Sequence, residues 1–333
     1  MKSYNIPIFI PHLGCPFDCV FCNQRRITGA GTDVTPDDVR RIIEERLTTL
    51  PESGASIEAA FFGGSFTGIP MEQQSALMAA VQPYIRSGRI SGIRMSTRPD
   101  YITREILDNL MYYGATTIEL GVQSMDDEVL KAAARGHSAE QVRQAAALIH
   151  EYPIRLGLQM MTGLPGDTPE RSIYTARELI RLRSEIVRIY PTLTIRDTYM
   201  EKMYREGRYT PQTLDEAVEL CKTLVLMFEA ENIRVIRLGL QSTDEISEHG
   251  SVVAGPVHSS FGELVESAIY LDKMLEVIPR DSRVTVYVAR GEISKAVGNR
   301  KRNIELIKQK LDTAVKVAED DELTKREVRA VVS

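Results

Sequence analysis

Tryptophan is absent from the 333-residue chain, cysteine occurs only four times, and aromatic residues make up only 6%. A chain of this length can bury a core without disulfide cross-links. Four cysteines are also too few for a disulfide scaffold, which is therefore excluded. No stretch reaches the roughly 18 uninterrupted apolar residues of a membrane span, and no membrane partner is expected. The first apolar run is interrupted by Pro7 and Pro11, which predicts a strand instead of a signal peptide. These absences together predict a cytoplasmic protein with reduced thiols.

A large excess of charge of one sign is also absent, because the 41 Lys and Arg nearly balance the 46 Asp and Glu and the formal net charge is only −5. This balance argues against a protein that binds nucleic acid with its whole surface. A local excess does exist, since residues 283–316 contain nine Lys or Arg and three Asp or Glu, a net of +6. That segment is consistent with contact to an RNA phosphate backbone.

Short apolar runs alternate with helical patterns up to about residue 240. The predicted strands are Ile6–Ile10, Ile57–Phe62, Gly92–Ser96, Thr116–Val122, Arg155–Met160, Ile186–Tyr190 and Arg234–Leu240. Thr35, followed by Pro36 and two acidic residues, is typical of a helix start. Repeated strand–helix units imply parallel strands with right-handed crossovers. We therefore expect an α/β core over residues 1–240, a partial (β/α) TIM-type barrel whose functional side chains follow the carboxyl ends of the strands.

After a connector over residues 241–261 the pattern changes, and residues 262–333 are expected to form a small C-terminal α/β appendage. Its predicted order of strand, helix, basic turn, helix and strand resembles the minimal unit of KH modules, in which a G-x-x-G loop binds the nucleic-acid backbone. The corresponding loop is Gly298-Asn299-Arg300-Lys301, which lacks the second glycine. The alternative is a solvated basic helix packed onto the barrel, and we favour it because charge runs usually face water.

Three of the four cysteines lie within eight residues, with the spacing Cys15-x3-Cys19-x2-Cys22. Soft thiolate ligands select zinc, Cu(I) or iron–sulfur clusters. A structural zinc site normally needs four ligands, but the fourth cysteine, Cys221, lies on the apolar side of a predicted helix and is expected to be a buried thiol. His12 could complete a zinc site, and that alternative stays open at this point. Three thiolates instead suggest a four-iron cluster with one iron open to another ligand.

The segment CPFDCVFC after the first strand resembles the signature of the radical S-adenosylmethionine (radical SAM) superfamily. The resemblance implies that Cys15, Cys19 and Cys22 hold a [4Fe–4S] cluster whose unique iron chelates S-adenosylmethionine (SAM). It also implies reductive cleavage of SAM to a 5′-deoxyadenosyl radical, with electrons from a low-potential reductant such as flavodoxin or ferredoxin. Phe21 is then expected to pack against the adenine of SAM or to shield the cluster.

Further SAM contacts are implied by segments that follow other strands. Gly63, Gly64 and Ser65 resemble the family's glycine pair, whose missing Cβ atoms let the backbone approach the methionine amino group. The segment GVQSMDDEVLKAAARGHS is similar to oxygen-independent coproporphyrinogen oxidases, which places Gln123 at the ribose and Arg135 at the carboxylate of SAM. The structural alternatives are a tight turn for the glycines and solvated loop positions for the other two residues.

The chain departs from those oxidases at three positions. Ser96 replaces an acidic ribose ligand, Gln159 replaces an aspartate of the fifth-strand motif, and Phe9 replaces a tyrosine. Ser96 and Gln159 are kept as candidate SAM contacts of altered polarity. These replacements weaken any transfer of porphyrin chemistry to this chain.

The segments STRPDYI, IELGVQS, ARGHS and IYPTLTIRDT look more like the catalytic subunit of the Elongator complex, a radical SAM protein that modifies the wobble uridine of tRNA. The resemblance covers roughly residues 1–240 and makes Glu119, Arg98 and Arg196 candidate cavity residues, or else ion-pair partners. The chain departs from that family in two ways. Its three cysteines are compactly spaced, and the residues that follow the radical SAM region are expected to be too few for that family's acetyltransferase domain. The carboxymethylation carried out by that family is therefore not expected of this chain.

The expected function is a radical SAM enzyme that modifies RNA, with tRNA as the expected substrate. One alternative is a radical SAM oxidoreductase acting on a small molecule of tetrapyrrole type. Another is a non-catalytic protein that binds the cluster and SAM without the radical step.

The cluster assignment predicts about four iron and four sulfide per chain. Replacement of Cys15, Cys19 or Cys22 by Ala is expected to remove them, because the three thiolates share one cluster. Metal and sulfide analysis of the anaerobically purified protein measures both contents. A single zinc ion per chain would contradict the assignment.

Overall fold

The computed structural model describes residues 2–10, 19–23, 34–240, 250–280 and 282–332. It divides into two compact units, one formed by Met1–Gln212 with Met227–Pro256 and the other by Thr213–Leu226 with Val257–Ser333. Two of the candidate ligands, His12 and Cys15, lie outside the described residues.

The first unit contains a sheet of seven parallel strands in the order β1-β2-β3-β4-β5-β6-β8. These strands are β1 (Lys2–Ile10), β2 (Ala55–Gly63), β3 (Gly92–Thr97), β4 (Ala115–Gln123), β5 (Arg155–Thr162), β6 (Ile186–Pro191) and β8 (Arg234–Leu238). A short antiparallel pair, β7 (Thr194–Ile195) and β9 (Val252–Ala254), is separate from this sheet. The sheet curls into a half-barrel, so the predicted partial (β/α) barrel is confirmed, and all seven predicted strands are present.

Helices connect the successive strands, as parallel pairing requires. They are α1 (Pro36–Leu47), α2 (Met71–Arg86), α3 (Arg104–Tyr112), α4 (Asp127–Ala132), α5 (Ala139–Ile149), α6 (Pro169–Arg181), α7 (Tyr199–Arg205) and α8 (Leu214–Ala230). The predicted start of α1 is confirmed, because the Thr35 hydroxyl accepts the Asp38 N–H at 3.2 Å and the Asp38 carboxylate accepts the Thr35 N–H at 3.1 Å. This capping box satisfies N–H groups that the first turn of a helix leaves without partners.

The two faces of the sheet differ in chemistry. Along β4, Ile118, Leu120 and Val122 are fully buried, and the alternating positions carry Thr117 and Glu119. Side chains of a strand point alternately to opposite faces, so one face is apolar and the other is polar. Polar side chains two strands apart contact each other, such as Thr117 of β4 with a β2 carboxylate at 3.0 Å. Such contacts identify the polar face as the concave side of the half-barrel.

The second unit contains α9 (Phe261–Val277), α10 (Ile293–Val297), α11 (Arg302–Leu311) and a three-stranded sheet of order β11-β10-β12. Strand β10 (Arg283–Val288) pairs parallel with β11 (Ala314–Glu319) and antiparallel with β12 (Val328–Val332). Its core contains Val284, Val286, Val288, Tyr270, Met274 and Ile307. The sequence pattern anticipates the order of strand, helix, helix and strand but misses β12.

The turn between α10 and α11 is shaped by packing inside this unit. Gly298 has φ +79°, and a Cβ there would lie 3.0 Å from both Asn303 and Ser267. Asn303 is 3% exposed, and its amide donates to the carbonyls of Ser267 at 2.8 Å and Ala296 at 3.0 Å. Gly298 is therefore needed for the fold itself. Contact between this loop and an RNA backbone stays a prediction.

Candidate functional site

The loop over residues 19–23 follows β1 and is held by backbone hydrogen bonds on both sides. The Val20 N–H donates to the Ala133 carbonyl at 3.1 Å, and the Val20 carbonyl accepts the Met200 N–H at 2.8 Å. Within the loop, the Cys22 N–H donates to the Cys19 carbonyl at 3.0 Å. Both cysteines are thus carried by one tight turn, with Cys19 buried and Cys22 half-buried. In the described part of the chain no three His, Cys, Asp or Glu side chains group as a metal site, so the three-cysteine ligand set stays a prediction.

Arg135 connects this loop to the end of β4. One guanidinium nitrogen, Nη1, donates to Cys19 Sγ at 3.6 Å, and the other, Nη2, donates to the Gly121 carbonyl at 2.7 Å. A Cβ at Gly121 would lie 2.8 Å from Arg135 Nη2 and 3.0 Å from Gln123 Nε2. A larger residue at this position would displace the ends of both polar side chains. The arrangement places a buried cation directly beside a cysteine sulfur.

Gln123, the last residue of β4, has an unusual backbone. Its φ is +69°, and the β4–β5 register shifts between Gly121 and Gln123. A left-handed conformation is uncommon for a residue with a side chain, and such residues occur most often at functional sites. The Gln123 Oε1 and Arg135 Nε atoms are buried and have no hydrogen-bond partner among the described residues. The site thus offers one acceptor and one donor for a ligand.

His137 fixes the backbone just before Gln123. Its Nε2 lies 3.1 Å from the Val122 carbonyl, and because a carbonyl only accepts, this nitrogen carries the proton. Burial, together with the positive charges of Arg135 and Arg98, lowers the pKa of His137 to about 3. The imidazole is therefore neutral at physiological pH, and its hydrogen bond supports the strand end that presents Gln123.

The glycine pair after β2 lies at the same edge of the sheet. Gly63 has φ +103°, a conformation that favours glycine. Ser65 is 1% exposed, its hydroxyl lies 2.9 Å from the Thr97 hydroxyl, and it accepts the Arg98 N–H at 3.2 Å. Ser65 therefore connects the ends of β2 and β3, and Gly63 and Gly64 are the residues that leave backbone accessible there.

A ladder of buried charges crosses the concave face of the half-barrel. Arg94 of β3 contacts Glu58 of β2 and Glu119 of β4, each at 2.8 Å. Arg188 of β6 contacts the same Glu119, with Nη2 3.0 Å from Oε1. Burial alone would raise the pKa of Glu119, but its hydrogen bonds and ion pairs to Arg188 and Arg94 hold that pKa below the ordinary value. Two glutamates and two arginines therefore form a balanced set, the ion ladder.

Ser96 and Gln159, both predicted to contact SAM, bond to each other beside this ladder. The Gln159 amide donates to Ser96 Oγ at 3.1 Å and to Glu119 Oε2 at 3.0 Å. Gln159 is half-buried, and its amide nitrogen is already engaged with protein atoms. Their role toward SAM stays a prediction, and the structure adds that the two residues act as one hydrogen-bonded pair.

The other candidate residues lie in different surroundings. Phe21 packs against an apolar cluster next to the cysteine loop, composed of Val20, Val129, Ala133, Leu164, Met200 and Tyr209. Arg98 is buried and forms a bidentate pair with Asp100 at 2.9 and 3.0 Å. Arg196 is exposed. Glu119 is an ion-pair partner, as one of its two interpretations expected.

Sequence reasoning missed Arg94, Glu58, Arg188 and His137. The signal for the first three was present, because each is a charged residue inside an otherwise apolar strand run. Charged residues are rarely buried unless they are paired, so three of them on neighbouring strands indicate a buried network. His137 gave no comparable signal, since its role depends on the left-handed turn at Gln123.

Comparison with known proteins identifies the class of this chain. A family profile described as the Radical SAM superfamily matches residues 9–179, and one described as the Radical_SAM C-terminal domain matches residues 184–270. The first match covers more than half of the chain, which therefore belongs to the radical SAM superfamily. Cys19, Cys22, Gly63, Gln123 and Arg135 all fall within that match.

Individual relatives of known function have modest sequence identity to this chain. The tRNA uridine(34) acetyltransferase of Dehalococcoides mccartyi is 27% identical over 239 residues, which cover 62% of this chain and 52% of that protein. Elongator complex protein 3 of Saccharomyces cerevisiae is 28% identical over 204 residues, which cover 55% of this chain and 36% of that protein. The resemblance to the Elongator catalytic subunit is thus confirmed, although the chain spans about half or less of the length of these relatives.

A solved structure shares the fold. Methanocaldococcus infernus Elp3 with an N-terminal deletion aligns with a TM-score of 0.64 at 23% identity, covering 80% of this chain and 62% of that chain. This likeness supports the half-barrel architecture. In the described part of the chain, no helix has the length and apolar character needed to cross a membrane.

The residues at the strand ends fit the cofactors that the superfamily implies. Cys19 and Cys22 lie on one turn beside a buried cation, which suits sulfur ligands that carry negative charge. The unpartnered Gln123 Oε1 and Arg135 Nε suit the hydroxyl and carboxylate groups of SAM. Cys221 is fully buried, as predicted, and makes a matched control for substitutions in the cysteine loop.

Replacement of Glu119 by Gln is expected to destabilise the protein by about 3–5 kcal/mol, because the buried Arg94 and the half-buried Arg188 lose their shared carboxylate. The effect depends on pH. Because the pKa of Glu119 is held below its ordinary value of 4.5 in the folded state, its carboxylate stabilises the fold above that pH and ceases to do so as the pH falls. The difference between wild type and Glu119→Gln should therefore stay constant while the pH is well above 4.5 and shrink as the pH falls below 4.5 toward the folded-state pKa.

Urea unfolding at several pH values measures this difference. Glu45→Gln is the matched control, because Glu45 forms an exposed helical pair with Arg41 at 3.3 Å and such pairs contribute little. Equal effects of the two substitutions would contradict a stabilising role for the ion ladder.

Proposed function

We propose that this chain is a radical SAM enzyme that holds a [4Fe–4S] cluster through Cys15, Cys19 and Cys22 and modifies tRNA. The observation that carries the proposal is the position of Arg135, which joins Cys19 to the end of β4 and leaves its Nε and Gln123 Oε1 buried without partners. When bound, the cluster and SAM supply a 5′-deoxyadenosyl radical that abstracts a substrate hydrogen.

Each residue of the site has a defined task in this proposal. Arg135 binds the SAM carboxylate through a charge-assisted hydrogen bond, and Gln123 accepts a hydrogen bond from a ribose hydroxyl. The backbone at Gly63 and Gly64 accepts hydrogen bonds from the methionine amino group. Phe21, next to Cys22, packs against the adenine or shields the cluster.

The inner face of the half-barrel completes the site. Ser96 and Gln159 contact SAM as a hydrogen-bonded pair, and the ion ladder beneath them fixes their orientation. The carboxylates and guanidinium groups of the ladder are paired with each other. Ser96 and Gln159 are therefore held in place before a ligand binds, which is the preorganisation that catalytic sites need.

The assignment of tRNA as substrate rests on the relatives. The curated relatives described above share 27% and 28% identity with this chain over their aligned parts, and the name of one refers to uridine 34 of tRNA. The basic excess over residues 283–316 is consistent with a nucleic-acid partner. The acetyl group named in that relative is not carried over, and the modification made by this chain is left to the experiment below.

The decisive experiment is anaerobic incubation of the reconstituted full chain with SAM, dithionite and a pool of small RNA. We expect 5′-deoxyadenosine by chromatography and a new mass in the nucleosides of digested tRNA. Absence of 5′-deoxyadenosine would indicate a non-catalytic cluster-binding protein. Formation of 5′-deoxyadenosine with unmodified RNA, together with spectral change on titration with porphyrinogens, would favour the small-molecule alternative instead.

The SAM contact of Gln123 can be separated from its structural effect by Gln123→Gly. Glycine accepts the left-handed backbone at this position without strain, so the urea midpoint should stay unchanged or rise. The affinity for SAM should fall about fivefold or more, because a buried hydrogen bond to a hydroxyl contributes about 1 kcal/mol or more. Anaerobic equilibrium dialysis with labelled SAM measures the affinity.

Arg135→Leu should lower SAM affinity further, since it removes a charged partner of the carboxylate. Arg177→Leu is the matched control, because Arg177 is exposed on α6. Unchanged SAM binding by both Gln123→Gly and Arg135→Leu would contradict the placement of SAM at the end of β4.

A further inference from the structure

An exposed tyrosine lies beside the cysteine loop and has no role in the proposed cofactor site. Tyr199, the first residue of α7, is 52% exposed. The Arg208 guanidinium carbon lies 5.6 Å from the centre of its ring, and the Lys202 amine nitrogen lies 6.0 Å from it. The two cations hold the ring by cation–π attraction, and half of the residue still faces solvent.

The position of Tyr199 is fixed by the next residue. The Met200 N–H donates to the Val20 carbonyl at 2.8 Å, and the Met200 side chain is buried in the apolar cluster that contains Val20. The preceding segment is held as well, because Asn23 donates to the Arg196 carbonyl at 3.4 Å. Tyr199 therefore lies at the rim of the loop that carries Cys19 and Cys22.

Stacking, more than charge, is the interaction this surface can offer. Residues 196–208 contain four Lys or Arg and three Asp or Glu, a net of +1. Arg205 pairs with Glu201 at 2.7 Å, and Arg208 pairs with Glu206, so much of the positive charge is already compensated. About half of Tyr199 and 45% of the Arg208 side chain remain exposed to solvent.

Unstacked RNA bases bind to such surfaces, because they stack on aromatic rings and on arginine planes. The stacking is tolerant of sequence and contributes about 1–3 kcal/mol per base. A base stacked on Tyr199 would bind to the residue that precedes Met200, whose N–H donates to the Val20 carbonyl of the cysteine loop. We infer that Tyr199 and Arg208 form a stacking platform for an unpaired nucleotide of the RNA substrate, an inference that rests on the proposed function.

The test compares the affinity of the reconstituted full chain for tRNA in three variants. Tyr199→Ala should weaken binding about 5-fold to 150-fold, the range expected for loss of one stacked base. Tyr199→Phe should bind within about twofold of wild type, because it keeps the ring that stacks. The salt dependence of binding should be the same in wild type and Tyr199→Ala, because tyrosine neutralises no phosphate.

Tyr112→Ala is the matched control and should leave the affinity unchanged. Tyr112 is 81% exposed and is the last residue of α3. Iron and sulfide contents are measured for each variant, and loss of the cluster in Tyr199→Ala would overturn the platform by showing that the tyrosine supports the loop.

The outcomes separate this inference from the proposed function. Equal tRNA affinity of wild type and Tyr199→Ala overturns the platform and leaves the proposed substrate intact. Equal weakening by Tyr199→Phe and Tyr199→Ala overturns stacking in favour of a hydroxyl contact. Failure of the wild type to retain tRNA at low salt overturns both proposals.

Discussion

One buried guanidinium group holds together the parts of the site that the chain supplies from distant positions. Arg135 reaches the Cys19 sulfur on one side and the Gly121 carbonyl on the other. A buried cation without such partners would be strongly unfavourable, so the loop and the strand end must lie where the guanidinium group requires. The positions of Gln123, His137 and the cysteine turn follow from that constraint.

The ion ladder has a similar effect on the concave face of the sheet. The Glu119 carboxylate accepts hydrogen bonds from Arg94, Arg188 and Gln159 and so fixes the orientation of all three side chains. Buried ion pairs contribute little net stability compared with apolar packing, yet removal of one partner is costly. The ladder therefore serves to fix orientations across four strands, and it explains why polar residues occur inside strands that are otherwise apolar.

The fold was predictable from the sequence because each strand of a parallel sheet is a short apolar run between helical patterns. All seven core strands and the start of α1 at Thr35 followed from that signal. The cofactor candidates were found through the resemblance of CPFDCVFC and GVQS to a known family. Strand β12 was missed because it is short and lacks alternation.

The contacts between strands were not predictable, since they depend on register. Ser96 and Gln159 were considered separately as SAM contacts, but the β4–β5 and β3–β4 registers bring them within 3.1 Å of each other. Ser65 stays a predicted SAM contact, and the hydrogen bond of its hydroxyl with that of Thr97 is an additional contact that the sequence did not predict. The exposed ring of Tyr199 also gave no signal, because its importance comes from the hydrogen bond of Met200 to Val20.

The neutral imidazole of His137 has a consequence for the electrostatics of the whole pocket. With a pKa of about 3, this histidine does not titrate anywhere near neutrality. His137 therefore adds no charge next to Arg135 from mildly acidic to mildly alkaline solution. It acts beside that cation as a fixed dipole, so mild acidification does not change its contribution to the proposed SAM site.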